Sequence, residues 1–321
     1  MFRQLAASSC ARRFSTAPPK SNIELVKKLR AVTNAPIVKA RQALTESNYD
    51  FDGALTWLEN DMASDGAAKF EKLKGRTASQ GLISTSIVHG GYKSRVGSGE
   101  GAVQAGIVEL NCESDFVART DEFAKTARDI AHAVAHLSSA KGTAGFTAAN
   151  IDELMEQPMS SGSTDTVKSV LTDLIGRTRE NVTLRRASSI WVPESPSSHI
   201  LRLGSYVHNA MSGFPTQGRI ASLALCRLSP VPTGDNLSSI LEATETMERA
   251  LARQIVGLET RSIHEVAGEP EETALYKQQF ALLGGPGSDL LVSEVLQKWG
   301  EKYGVTLDVA DFQRWEVGQA S

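Results

Sequence analysis

The chain has 321 residues, 34 of them basic and 37 acidic, with 41% apolar content and three cysteines. That length buries a sizeable core and suits one large domain with a smaller companion. The near balance of charge, without dense basic runs, excludes a protein that holds nucleic acid by bulk charge. No apolar run approaches the roughly 18 residues of a membrane span, and three cysteines make no disulfide framework.

Residues 1–20 contain Arg3, Arg12, Arg13 and Lys20 among several Ser and Ala, and no acidic residue precedes Glu24. This is the composition of a mitochondrial presequence. A secretory signal needs a continuous apolar stretch, and Leu5-Ala6-Ala7 is broken at once by Ser8, Ser9 and Cys10. Arg13-Phe14-Ser15 resembles a processing context, which sets the expected mature start at residues 15–20 and the location in the mitochondrial matrix. Removing residues 1–20 leaves 30 basic against 37 acidic residues. Direct contact with tRNA or rRNA is therefore not expected, and neither is a membrane partner. Cys112 and Cys226 remain, which fits a reducing compartment.

Residues 21–62 read as three short helices. Leu25, Leu29 and Val32 fall at helical spacing on the first, Thr33-Asn34-Ala35 breaks it, and Pro36 can open the second, where its missing N–H costs nothing. Ile37, Ala40 and Leu44 line the second helix. Asp50 is a candidate N-cap for the third, which carries Phe51, Leu55 and Leu58. Residues 63–80, with Lys69, Lys72, Lys74 and Arg76, read as a partly helical linker.

Residues 81–88 and 103–110 alternate in character around a Gly-rich segment, which predicts a β-hairpin with a long loop. Asn111-Cys112-Glu113-Ser114-Asp115-Phe116-Val117-Ala118-Arg119 comes next, at a strand-to-helix turn. A Phe there either packs into its own core or points outward as a wedge, and residue types alone leave both readings open. Residues 120–137 form an amphipathic helix with Phe123, Ala127, Ile130, Val134 and Leu137 on one stripe. Residues 165–177 are expected to be helical, and Glu180-Asn181-Val182-Thr183-Leu184-Arg185-Arg186 lies just before the next expected strand. Strands are expected at 188–192, 200–207 and 219–228 and a helix at 244–258, so a sheet-and-helix unit recurs. This divides the core into halves at 81–180 and 181–321. A helix at 288–303 and a strand within Phe312-Gln313-Arg314-Trp315-Glu316-Val317-Gly318 close the chain.

No catalytic constellation emerges, and no cofactor or metal is implied. His132 and His136 stand four apart, a spacing used by paired metal ligands, but lie opposite the apolar stripe and have no further ligand nearby in sequence. The glycine clusters at 97–101 and 284–287 are not followed by Lys-Ser or Lys-Thr, as a phosphate loop would be. Cys112 has no histidine near it in sequence and reads as an ordinary half-buried strand cysteine.

The run Asn111-Cys112-Glu113-Ser114-Asp115-Phe116-Val117-Ala118 closely resembles the signature of the elongation factor Ts family, the nucleotide exchange factors of the GTPase elongation factor Tu. Glu180-Asn181 through Arg185-Arg186, Gly204-Ser205-Tyr206-Val207-His208 and the closing Phe312 to Gly318 run resemble further segments of that family. The likeness covers most of the chain after about residue 21. It implies an α+β fold: a small three-helix, ubiquitin-associated-like bundle plus a two-subdomain core of antiparallel sheets covered by helices. It implies that Phe116 enters a pocket of the Tu GTPase domain and disturbs its magnesium site, with Ser114, Asp115 and Val117 holding the turn. His208 would face the same partner, with a strand-end histidine of no role as the alternative. The bundle would dock through Asn34, Ala35 and Pro36, and the partner would be mitochondrial elongation factor Tu. The helical excursion of bacterial members looks trimmed here, as in mitochondrial ones. Two departures stand out: residues 208–218 read longer than the family's short turn, and Arg179 stands where the family often has Gly. The competing readings are a non-catalytic adaptor or chaperone-like module built on the bundle and, well behind it, a hydrolase using Cys112 with a distant His.

Overall fold

The computed structural model of the protein describes residues 20–33, 35–73, 75–98, 100–137, 145–194, 198–281 and 289–319. Residues 1–19 of the expected presequence, residue 34 and the glycine turn at 284–287 lie outside the described residues. The chain divides into two compact units, Met1–Asp65 and Gly66–Ser321.

The smaller unit holds α1 (Lys20–Thr33), α2 (Ile37–Glu46) and the first part of α3 (Phe51–Leu73). Leu29, Ala40, Ala43, Leu44, Ala54 and Leu58 form its core, because helical periodicity places them on facing stripes. Pro36 is the N-cap of α2 at φ −57, and its carbonyl accepts from Ala40 N–H at 3.0 Å. Asp50 Oδ2 accepts from Gly53 N–H at 2.7 Å and so starts α3. Two stripe residues depart from expectation: Val32 is 67% and Ile37 47% exposed. They flank the α1–α2 turn, where no described element of the bundle covers them. α3 runs to Leu73 and so takes up the first half of the segment read as a linker.

The larger unit is built on β1 (Gln80–Tyr92), β2 (Glu100–Cys112), β3 (Phe146–Ala148), β4 (Thr183–Val192), β5 (Ile200–His208), β6 (Gln217–Gly218), β7 (Ile220–Ser229) and β8 (Thr306–Glu316). Pairing is antiparallel throughout, in the order β3-β4-β2-β1-β5-β7-β8, with β6 added to β1. Gly91 pairs with Arg202 of β5, next to two register shifts in β1, and Ile83 and Ser84 pair with β6; these pairings join the β1–β4 part to the β5–β8 part. Bulges of this kind bend a strand, and here the two parts fold face to face. Asp311 of β8 accepts from Phe146 N–H of β3 at 3.4 Å, so the two ends of the curled sheet meet.

Alternation along the strands explains the layering. Val103, Ala105 and Ile107 of β2 meet Ala221, Leu223 and Leu225 of β7 in the core between the two parts. The intervening residues face outward: Val108, Leu110 and Cys112 toward α5 (Asp121–Ala135) and α7 (Val167–Thr178), and Ala224, Cys226 and Leu228 toward α8 (Leu237–Gly257) and α9 (Val292–Tyr303). Each part meets its main helix over a glycine. A Cβ on Gly106 would lie 2.4 Å from Ala131 O of α5, and one on Gly204 would lie 2.6 Å from Glu248 O of α8. The strand expected at 188–192 belongs to β4 and pairs with β2, beside the first hairpin. β3, β6 and the short helix Ile151–Met155 are too brief for periodicity to register.

Candidate functional site

The Phe116 turn is assembled where β2 ends. Ser114 is extended at φ −114, ψ 153, and its Oγ accepts from Val117 N–H at 3.3 Å, opening the one-turn helix α4 (Asp115–Ala118). Thr120 closes it from the other side: Oγ1 donates to Val117 O at 2.9 Å and accepts from Phe123 N–H at 3.3 Å, so one side chain ends α4 and caps α5. Asp115 and Arg119 make an exposed ion pair at 3.4 Å, worth only a few tenths of a kcal/mol. Val117 and Ala118 pack on the core beneath, whereas Phe116 is 83% exposed. Of the two readings of this Phe, packing into its own core is excluded.

A latch from a distant segment holds the turn. The Glu180 carboxylate accepts from both Ser114 N–H, at 2.9 Å, and Ser114 Oγ. The neighbouring pair is reciprocal: the Glu113 carboxylate accepts from Asn181 N–H at 2.7 Å, and Asn181 Nδ2 donates to Arg76 O at 2.6 Å. Arg179 ends α7 in the left-handed region, φ 59, and this reversal brings Glu180 back toward Ser114. A left-handed position favours glycine, so the glycine of the resembled pattern suits this backbone and Arg179 occupies it at a cost. In the sequence Glu180-Asn181 marks only the approach to a strand, with no task attached. The signal was two acidic side chains, Glu113 and Glu180, each beside a turn.

A groove of about 800 Å³ runs beside the turn, with Ser114, Asp115, Ala118 and Arg119 on one wall and Asn209, Met211 and Arg219 on the other. His208 is exposed at the end of β5, one residue before that second wall. The long connection from 209 to 216 does more than turn the chain: Met211 and Phe214 pack on the same core as Val117, and β6 pairs with β1. Gln217, fully buried, donates to Ala124 O at 2.6 Å and to Ser84 Oγ at 3.2 Å. In the smaller unit Ala35 is buried and Pro36 exposed. Arg30 Nε donates to Ala35 O at 3.1 Å and fixes that loop.

Cys112 is fully buried, and its thiol donates to Ser114 O at 3.1 Å. Burial, helped by the nearby Glu180 charge, pushes it up to about 12, which suits a packed thiol. Cys226 is raised for the same first cause. His132 and His136 meet edge to face at 4.8 Å, and Gln104 Nε2 reaches His136 Nδ1 at 3.1 Å. Burial, then the neighbouring His132 and His89, lowers His136. Among the described residues no group of three or more His, Cys, Asp or Glu is arranged to hold a metal, and no helix is long and apolar enough to cross a membrane.

A family model for elongation factor TS matches residues 113–265, a span that opens at the latch and takes in Glu180, Asn181 and His208. The mitochondrial elongation factor Ts of Coprinopsis cinerea is 40% identical over 99% of this chain and 98% of that protein. The mitochondrial elongation factor Ts of Laccaria bicolor is 40% identical over 96% and 95%, and the mitochondrial elongation factor Ts 2 of Postia placenta 36% over 96% and 95%. The relatives' names agree with the address expected from residues 1–20. At such identity over essentially whole chains, this chain belongs to the elongation factor Ts family, among its mitochondrial members.

Proposed function

We propose that in the mitochondrial matrix the chain binds mitochondrial elongation factor Tu in its GDP state and speeds the exchange of GDP for GTP by inserting Phe116 beside the magnesium and nucleotide site. Family membership supports the partner and the reaction class. One observation carries the wedge: Phe116 is 83% exposed on a turn whose neighbours Val117 and Ala118 are anchored in the core. A large aromatic held in water on a restrained turn is poised to bury itself in a partner at little ordering cost.

No covalent chemistry is required. A factor that prefers the nucleotide-free partner weakens nucleotide binding by the same ratio as nucleotide weakens its own. A thousandfold faster release corresponds to about 4 kcal/mol off the barrier, within reach of one inserted aromatic and a broad interface. Ser114, Asp115 and Val117 shape the turn. His208 adds a contact across the groove, and the loop around Asn34, Ala35 and Pro36 docks the bundle on the same partner. Release of a fluorescent GDP from mitochondrial elongation factor Tu, with residues 21–321 added as wild type or Phe116→Ala, tests this. Fast release that disappears in the variant is expected. No acceleration by the wild type would return the adaptor reading to first place.

A further inference from the structure

We propose that Glu180 is a positioning residue for Phe116, acting on nucleotide exchange only through the turn it holds; this rests on the reading of Phe116 as the inserted side chain. A four-residue helix does not persist on its own, so something must impose its conformation. At its entrance the tie is Glu180, whose carboxylate takes both the N–H and the hydroxyl of Ser114. The same hydroxyl oxygen accepts from Val117 N–H at 3.3 Å, so Glu180 fixes the rotor that caps α4. Phe116, at 83% exposure, has little packing of its own, and its direction follows from the backbone of that turn. Glu180 is itself kept in place by its neighbour, since Asn181 N–H reaches Glu113 at 2.7 Å and Asn181 Nδ2 reaches Arg76 O at 2.6 Å. Two hydrogen bonds to one ionised carboxylate are of the strong class. Losing them frees the turn to sample orientations in which the aromatic cannot enter a pocket, which lowers the competent fraction.

The test is a double-mutant cycle on residues 21–321: wild type, Glu180→Gln, Phe116→Ala and the double variant, each titrated against GDP-loaded elongation factor Tu. Glu180→Gln keeps the shape of the side chain but presents an amide N–H₂ to one of two donors. The expected result is a loss of about tenfold in the saturating release rate. In the Phe116→Ala background the same change should move that rate by less than about twofold, because its route to the partner is gone. Ser114→Ala, which cuts the hydroxyl tie from the other side, should behave alike and serves if the glutamine variant folds poorly. A full Glu180 effect that survives without Phe116, or a Glu180→Gln rate within about twofold of wild type, overturns the positioning role alone. A Phe116→Ala protein as fast as the wild type overturns the wedge and the positioning role together.

Discussion

Glu109 of β2 is fully buried and takes Arg186 of β4 at 2.7 Å while accepting from the Gly318 amide at 2.8 Å, so one carboxylate ties a neighbouring strand to the last turn of the chain. Arg185 adds a contact at 3.3 Å, and Arg186 stacks 4.6 Å over Trp315 and donates to Glu316 O at 2.9 Å. Removing one partner of such a set leaves a charge without its counterpart, at a cost of about 3–5 kcal/mol. Glu109→Ala should therefore lower the urea midpoint severely. A midpoint equal to wild type would show that the C-terminal strand is held by its pairing with β7 and by packing, without need of the Glu109 ties.

Phe116→Ala should behave in the opposite way. An 83% exposed side chain contributes little to its own fold, so the change in unfolding free energy should stay within about 0.5 kcal/mol. Exchange activity should collapse over the same comparison. Equal losses of stability and activity would count against a surface wedge.

Arg202 and Glu248 form a bidentate pair inside the second helix–sheet layer, at 2.6 and 3.2 Å. Burial raises the Glu248 carboxyl and Arg202 pulls it down; burial prevails and pushes it up to about 7. A carboxyl raised in the folded state holds a proton that the unfolded chain releases, so its contribution is full below the ordinary carboxylate range and is lost as pH rises through about 7. Unfolding of wild type and Glu248→Gln measured from pH 5 to 8 should show the wild type losing ground relative to the variant as pH increases. A difference that is constant across that range would contradict the assignment.

At Arg179 the left-handed backbone, φ 59, costs a non-glycine residue about 1 kcal/mol. Arg179→Gly should raise the unfolding free energy by roughly that amount, less the added freedom of glycine in the unfolded chain. Thermal unfolding checks it, and a lower midpoint would mean that the Arg179 side chain contributes more than its backbone costs.

Helix positions were legible because their cause is local. Leu29, Ala40 and Leu44, and Phe123, Ala127, Ile130 and Val134, announce buried stripes by spacing alone, and Asp50 announces a cap. The hairpin of β1 and β2 was legible for the same reason, although both strands extend past the alternating cores that signalled them. Val32 and Ile37 misled because spacing states which residues share a face but not how far a neighbouring element reaches to cover it.

The sequence by itself determined where helices and strands form, the apolar stripes and the strand-to-helix turn on which Phe116 stands, since each follows from residues within a few positions of one another; the α+β class came with the family resemblance. Tertiary structure alone decided that Phe116 points to solvent, that β4 lies beside β2, and that Ser114 is tied to Glu180 and Glu109 to Gly318. Those last two ties join residues 66 and 209 positions apart. Periodicity reports the face a side chain occupies and nothing about its partner. A carboxylate finds its donors only after strand order, the bend at Gly91 and the left-handed turn at Arg179 have brought distant backbone into reach.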